Sequence, residues 1–319
     1  MNTFGNTFRI SIFGESHGKC VGITIDGCPA GIDLQESDLL PDLERRKAGA
    51  TGTTPRKEDD KPVFVSGVFN NKTTGAPLTI VFENNNTHSA DYDAIKSTPR
   101  PGHADFVLSK KFNGFNDYRG GGHSSGRLTV TLVAAGVVAK KILTEIKIKA
   151  TLIEAGGNPN IEEAIQKAVE EQDSIGGIVT CNVSGLPPGL GEPFFNSVES
   201  LISHAIFSIP AIKGIEFGSG FAAAKMKGST HNDAITDDKG TTRTNNAGGI
   251  NGGITNGNEL YFRVAVKPTS STPQEQHTWN VVSQSVEAFT VKGRHDLCIA
   301  LRVPVVVEAI TAIVLADLL

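Results

Sequence analysis

Apolar residues alternate with polar ones, or run together at strand length, in FRISIF (Phe8 to Phe13) and GITID (Gly22 to Asp26). That pattern predicts two strands. In LQESDLLPDLERRKAG, Leu34, Leu39, Leu40 and Leu43 fall near helical spacing, and basic residues followed by Gly49 mark the helix end. PVFVSGVF and APLTIVF predict two further strands, and GRLTVTLVAAGVVAKKIL predicts a helix in its later part, with small faces suited to close packing. Then come a strand over Lys147 to Ala155, a helix over Ile161 to Glu171, a strand over Gly177 to Val183 and a helix over Val198 to Phe207. Strands AIKGIEF and LYFRVAV and a closing helix from Val305 to Leu318 complete the pattern.

One stretch echoes another half a chain away. Gly27-Cys28-Pro29-Ala30-Gly31 follows the second strand and precedes the first long helix; Gly185-Leu186-Pro187-Pro188-Gly189 stands in the same relation to a later strand and helix. A duplicated strand–turn–helix unit is the sharper reading, chance recurrence of turn residues the plainer one. Two such halves imply an α+β fold of layered sheets and helices. No linker rich in Pro, Ser or charge separates them, so residues 1–319 are read as one domain.

Composition narrows the function classes. Thirty-five of 319 residues are glycine, more than the usual level of roughly 7%, so turns and close backbone approaches abound. A net charge of −4 and a pI near 6.1 disfavour a general nucleic-acid binder. Cys20, Cys28, Cys181 and Cys298 form no CxxC pair and no Cys/His zinc spacing; they read as small buried thiols, and no metal site is expected. The N-terminus lacks a basic segment followed by an apolar run. The apolar C-terminal stretch is broken by Pro304, Glu308 and Asp317. Neither a leader nor a membrane span is expected, and the reducing cytoplasm is the expected compartment.

Polar signals gather in loops. Gly14-Glu15-Ser16-His17-Gly18 follows a strand and presents a residue able to donate a proton near neutrality; an ordinary turn histidine is the plainer reading. It lacks the G-x-S-x-G elbow of many serine hydrolases. Glu44-Arg45-Arg46-Lys47 either complements a helix dipole or clamps an anion. Arg100-Pro101-Gly102-His103-Ala104-Asp105 fixes a turn with His103 near a helix start, and Arg119 to Arg127 places four glycines, His123, Ser124 and Ser125 before the long helix, where free backbone N–H groups suit phosphate. The Gly/Asn run from Asn245 to Gly257 reads either as a loop or as part of a site, and it precedes a strand ending in Lys267-Pro268-Thr269-Ser270-Ser271. Lys292-Gly293-Arg294-His295-Asp296 stands before the last helix; its Asp is either a satisfied ion pair or a group that tunes a proton transfer. Together these loops suit a phosphorylated organic substrate and a phosphate-bearing cofactor, without naming a reaction.

FRISIFGESHG, DLERRKAG, TTPR, RPGHAD, DYRGGG, DSIGG, GLGEPFF, KGIEFGSGF, AGGINGGITNG, KPTSS and KGRHD occur in this order from residue 4 onward. The chain thereby resembles the chorismate synthase family. The resemblance implies a lyase of the shikimate pathway, on the route to aromatic amino acids. It eliminates phosphate from 5-enolpyruvylshikimate 3-phosphate (anti, 1,4) with reduced FMN and no net redox change. It also implies a homotetramer with a β-α-β-α sandwich core. By the same resemblance His17 helps phosphate depart, His103 protonates the reduced flavin and Asp296 helps it accept the substrate proton. Ser16, Arg45, Arg46, Arg100, Ser125 and Arg127 match substrate-binding positions. His123, Ser124, Ser125, Ala211, Gly252, Lys267, Pro268, Thr269, Ser270, Ser271 and Arg294 match the flavin-binding ones. His123 and Leu128 stand where the family has Arg and Glu, Gly52 where many members have Arg, and Pro210 where Asn is usual; the segment from Ala155 to Asn160 is short. These departures motivate a second reading, a non-catalytic flavin- or anion-binding paralogue. No separate GxGxxG nicotinamide unit is found, which points to an external flavin reductase, with NADPH entering only indirectly.

Overall fold

Two helices that are apolar on nearly every face organise the molecule. A helix hydrophobic all round must be buried on all sides, and the two packed against each other at its centre are of this kind. The computed structural model describes residues 2–54, 58–85, 92–291, 293 and 295–319. The first half contains β1 (Thr3–Phe4), β2 (Arg9–Gly14), β3 (Cys20–Asp26) and α1 (Glu36–Arg46). It continues with β4 (Val63–Ser66), a small hairpin of β5 (Val68–Phe69) and β6 (Lys72–Thr73), and β7 (Leu78–Glu83). Two short helices, α2 (Asp93–Ser97) and α3 (Asp105–Lys111), lead to the central α4 (Thr129–Ile142). The second half contains β8 (Lys147–Ala155), α5 (Ile161–Glu171), β9 (Gly177–Ser184), α6 (Val198–Ile206) and β10 (Ile212–Phe217). After α7 (Gly228–His231), the hairpin β11 (Ile250–Asn251) and β12 (Ile254–Thr255), and β13 (Leu260–Val266), the hairpin β14 (Gln276–Asn280) and β15 (Ser285–Phe289) precedes the other central helix, α8 (Val303–Leu318).

The echo in the sequence is an echo in topology. One sheet has the order β1-β2-β3-β7-β4 and the other β10-β13-β9-β8, with antiparallel pairing throughout. Setting β1 aside, both read as first strand, second strand, fourth, third. In each half the turn after the second strand needs glycine in the left-handed region: Gly27 has φ 84° and Gly185 φ 83°. A Cβ on Gly27 would meet the Thr7 carbonyl oxygen at 1.8 Å, and one on Gly185 the Glu145 carbonyl oxygen at 2.3 Å. Both carbonyls lie just before the first strand of their sheet. Helix α4 packs on the first sheet, α8 on the second, and the two helices on each other. One contiguous hydrophobic core therefore runs from Phe8 to Ala316, the layered α+β architecture expected from the sequence. The stretch Ile299–Leu318 is long and apolar enough to cross a membrane, but 78% of its most apolar window is buried inside the protein; it is the core helix.

Candidate active site

Three consecutive glycines bring two histidines together. Gly120, Gly121 and Gly122 have φ of 59°, 82° and 53° in the turn that leads into α4, conformations that side-chain-bearing residues rarely adopt. A Cβ on Gly120 would lie 2.4 Å from both Cε1 and Nδ1 of His17 and 2.9 Å from Ser16 Oγ. A Cβ on Gly121 would lie 3.3 Å from His103 Cε1 and 3.5 Å from its Nε2. The GESHG loop after β2 and the RPGHAD loop before α3 thus press their imidazoles on adjacent residues of one glycine turn. The Ser16 backbone N–H donates to the Gly122 carbonyl at 3.1 Å, fixing the first loop. The His17 ring meets Tyr92 edge-on, with centroids 5.0 Å apart.

Beside this turn lies a cleft of about 200 Å³. Its described lining carries five cationic side chains (Arg46, Lys47, Arg100, Arg127 and Arg302) against three carboxylates (Glu58, Asp60 and Asp296). The cleft is therefore positive in a chain whose net charge is −4, a local field suited to an anion. Arg46 is buried at the end of α1 and donates to Asp60 at 2.8 Å and to Thr129 Oγ1 at 3.2 Å. Burial lowers its pKa to about 10, against the opposing pull of Asp60. Arg127 pairs with the other oxygen of Asp60 and donates through Nε to Asn84 at 3.0 Å. Burial alone would raise the Asp60 pKa, but the two guanidiniums hold it below the ordinary value. Asp296 accepts from the Thr54 backbone N–H at 2.9 Å and pairs with Arg302 at 3.1 Å, while Arg302 Nε donates to the Arg46 carbonyl at 2.8 Å.

The KPTSS strand end closes the other side. Ser271 Oγ accepts from Arg100 at 2.9 Å, and Ser270 Oγ donates to the Gly102 carbonyl at 2.8 Å while accepting from Lys267 Nζ at 2.6 Å. Burial, reinforced by Lys213, lowers the Lys267 pKa. Three buried polar atoms here, Ser16 Oγ, Arg46 Nε and Thr269 Oγ1, have no hydrogen-bond partner among the described residues. Buried polar groups are nearly always satisfied, so a site with three such atoms in or beside one cationic cleft fits a polar ligand, and hydroxyl and guanidinium donors fit phosphate oxygens. No group of three or more His, Cys, Asp or Glu able to hold a metal occurs among the described residues.

Of the residues named from sequence, Arg46, Arg100, Ser125, Arg127, Thr269 and Asp296 line the cleft, and Ser16, His17 and His103 abut its glycine turn. Arg45 does not reach it. Its guanidinium forms two 2.7 Å bonds to buried Glu308 and one of 2.9 Å to Asp42. His123 turns away to the Gly14 carbonyl, at 2.7 Å, and to Asn2. Ser124 donates to the Gly121 carbonyl at 2.8 Å. Ala211, at φ 75°, receives the Lys267 N–H on its carbonyl beside cleft-lining Pro210, and Pro268 continues that strand end. Gly252 sits in the β11–β12 hairpin, which is bonded to the segment around Leu190 and Val198 and does not line the cleft. Arg294 lies outside the described residues. Gly52 is at φ 86°, and its carbonyl accepts from the N–H groups of Leu297 and Cys298 at 2.9 and 3.0 Å; this glycine braces the segment that carries Asp296. Sequence reasoning passed over Asp60, Tyr92 and Arg302. Asp60 hides in an acidic run that reads as a solvated loop, whereas Tyr92, one of only three tyrosines, and Arg302, a lone cation before an apolar helix, were weak but available signals.

A family model described as chorismate synthase matches residues 8–319. The chain belongs to the chorismate synthase family. A chorismate synthase of Chitinophaga pinensis is 69% identical over 318 residues, covering 99% of this chain and 96% of the relative. One of Dehalococcoides mccartyi is 46% identical over 349 aligned positions, covering 99% and 96%. That alignment is longer than this chain of 319, so internal stretches of that relative have no counterpart here. A solved structure titled as a crystal structure of chorismate synthase superposes with a TM-score of 0.76 at 28% identity, covering 99% of this chain and 92% of that one. The function is accordingly that of a chorismate synthase, in the shikimate pathway of aromatic amino acid biosynthesis, and the paralogue reading is not favoured.

Proposed function

We propose that the cleft performs a carbon–oxygen lyase reaction on 5-enolpyruvylshikimate 3-phosphate. The C–O bond to phosphate breaks, a proton leaves carbon at the far end of the conjugated system, and the products are chorismate and inorganic phosphate, with no net change in oxidation state. Arg46, Arg100, Arg127 and Ser125 bind the phosphate and carboxylates, since guanidinium forks match both groups. In a cleft shielded from water each such contact strengthens. His17, beside Ser16, gives a proton to the departing phosphate; general acids of this kind contribute roughly 10²–10⁴-fold. Reduced FMN, when bound, supplies the electron density that eases C–O cleavage. His103 would hold a proton at the edge of the bound flavin, Asp296 would orient the group that takes the substrate proton, and Thr269 with Lys267, Ser270 and Ser271 would hold the cofactor. The observation that carries this reading is the convergence of His17 and His103 on Gly120 and Gly121 beside a cationic cleft.

The chain works as one domain of the cytoplasm. NADPH serves only indirectly, through an external flavin reductase. Phe194, Phe195 and Phe221 are 86%, 91% and 83% exposed, and apolar surface of this kind supports burial in a homotetramer. His17→Asn and His103→Asn test the site: each lowers chorismate formation at least 100-fold with an unchanged thermal midpoint. Two variants at wild-type rate would overturn the assignment.

A further inference from the structure

His103 is held at one nitrogen by two groups that make opposite demands. Its Nδ1 lies 2.7 Å from Asp105 Oδ1 and 3.1 Å from Arg100 Nη2. A carboxylate requires a proton on Nδ1; a guanidinium requires a lone pair there. Which tautomer forms is set by the group that binds the ring more strongly.

The surroundings of Asp105 decide between them. Its side chain is buried, and Oδ2 accepts from the Arg100 backbone N–H at 3.1 Å and from Arg100 Nε at 2.8 Å. Oδ1 accepts from Arg100 Nη2 at 2.8 Å. Burial alone would raise the Asp105 pKa, but the bonds from Arg100 and His103 hold it far below the ordinary carboxylate value. Asp105 is therefore an acceptor only. Arg100 grips Asp105 with two nitrogens and donates to Ser271 with a third, at 2.9 Å. Each contact has one ionised partner, and the contact to Asp105 is the shorter, 2.7 Å against 3.1 Å.

We infer that Asp105 is a positioning residue that keeps His103 in the Nδ1–H tautomer, so that Nε2, facing Gly121, is the only ring atom that gains or loses a proton. The tautomer stands on the geometry alone; its consequence for turnover rests on the reading of His103 given above. Arg100 acts here as the clamp that orients Asp105, and through Ser271 it ties this dyad to the KPTSS strand end.

The test is a long-range ¹H–¹⁵N correlation spectrum of the ¹⁵N-labelled full-length protein, with His103 assigned by the signal lost in His103→Gln. With the ring neutral, wild type should show a protonated Nδ1 and a bare Nε2. In Asp105→Asn the amide oxygen takes the Oδ2 place, which meets two Arg100 donors, and its NH₂ faces His103; the tautomer should reverse. Turnover should then fall roughly 10–100-fold, the scale of an outer-shell partner. A bare Nδ1 in wild type overturns the inference, and that spectrum decides even if the variant does not fold. A protonated Nδ1 that persists in Asp105→Asn overturns the role of Asp105. A reversed tautomer with unchanged turnover upholds the positioning and overturns instead the reading of His103 as the proton-carrying group.

Discussion

Gly120→Ala is the smallest change that disturbs the pairing of the two histidines. The methyl group would lie 2.4 Å from two atoms of the His17 ring and 2.9 Å from Ser16 Oγ, where ordinary van der Waals contact is 3.4–4 Å. His17 must therefore retreat by about 1 Å, and a misplacement of that size costs roughly 10²-fold in rate. The backbone penalty is separate: alanine at φ 59° costs about 1–2 kcal/mol of stability. Gly114→Ala isolates that second effect, because Gly114 has φ 78° and nothing within 4 Å of its would-be Cβ. Anaerobic phosphate release with reduced FMN, alongside thermal denaturation, distinguishes the two. Both variants should lose stability, Gly120→Ala the more because it must also displace buried His17, and only Gly120→Ala should lose about two orders of magnitude in turnover. Wild-type turnover by a folded Gly120→Ala protein would refute the claim that this turn sets the position of His17.

Arg45→Ala should lower thermal stability and leave KM within a few-fold, whereas Arg46→Ala should raise KM strongly; similar kinetic effects would contradict the placement of Arg45 on Glu308. Glu308 also accepts from the buried Ala150 N–H at 3.0 Å, so Glu308→Ala should cost about 1–3 kcal/mol in denaturant titration. Burial would raise the Glu308 pKa, but Arg45, the Ala150 N–H and Lys140 outweigh it and lower the value; Asp60 and Asp105 are lowered as well. The folded chain thus binds fewer protons than the unfolded one in acid. The stability these groups contribute is complete above an ordinary carboxyl pKa of about 4 and is lost as pH falls through the folded values. Stability measured from pH 6 to pH 3 should decline, and less steeply for Glu308→Gln than for wild type; equal slopes would remove Glu308 from the account.

Elements whose periodicity is set by one buried face were legible: the expected spans of β8 and α5 match the structure to the residue. The β14–β15 hairpin was not, because QHTWN and SVEAF keep no fully buried residue and so leave no alternating signature. The site was legible as a set of loops but not as partnerships. Arg45 and Arg46 are adjacent in sequence, yet neighbours on a helix point about 100° apart. One therefore meets Glu308 in the core and the other the cleft, and nothing local in the sequence distinguishes them. The same holds for Asp60, whose charge run reads as solvent-facing until Arg46 and Arg127 are brought around it by α1 and the glycine turn. His123 carries its own lesson: a family position can be occupied by a residue that folds back on the Gly14 carbonyl.

We propose that the cationic cleft bounded by His17 and His103 eliminates phosphate without net redox change. The most direct test is a stoichiometric, oxygen-free assay of the purified full-length protein with 5-enolpyruvylshikimate 3-phosphate and photoreduced FMN. Chorismate and phosphate should appear in equal amounts over many turnovers while the flavin stays reduced. Flavin oxidised one-for-one with product, or phosphate released without chorismate, would contradict it.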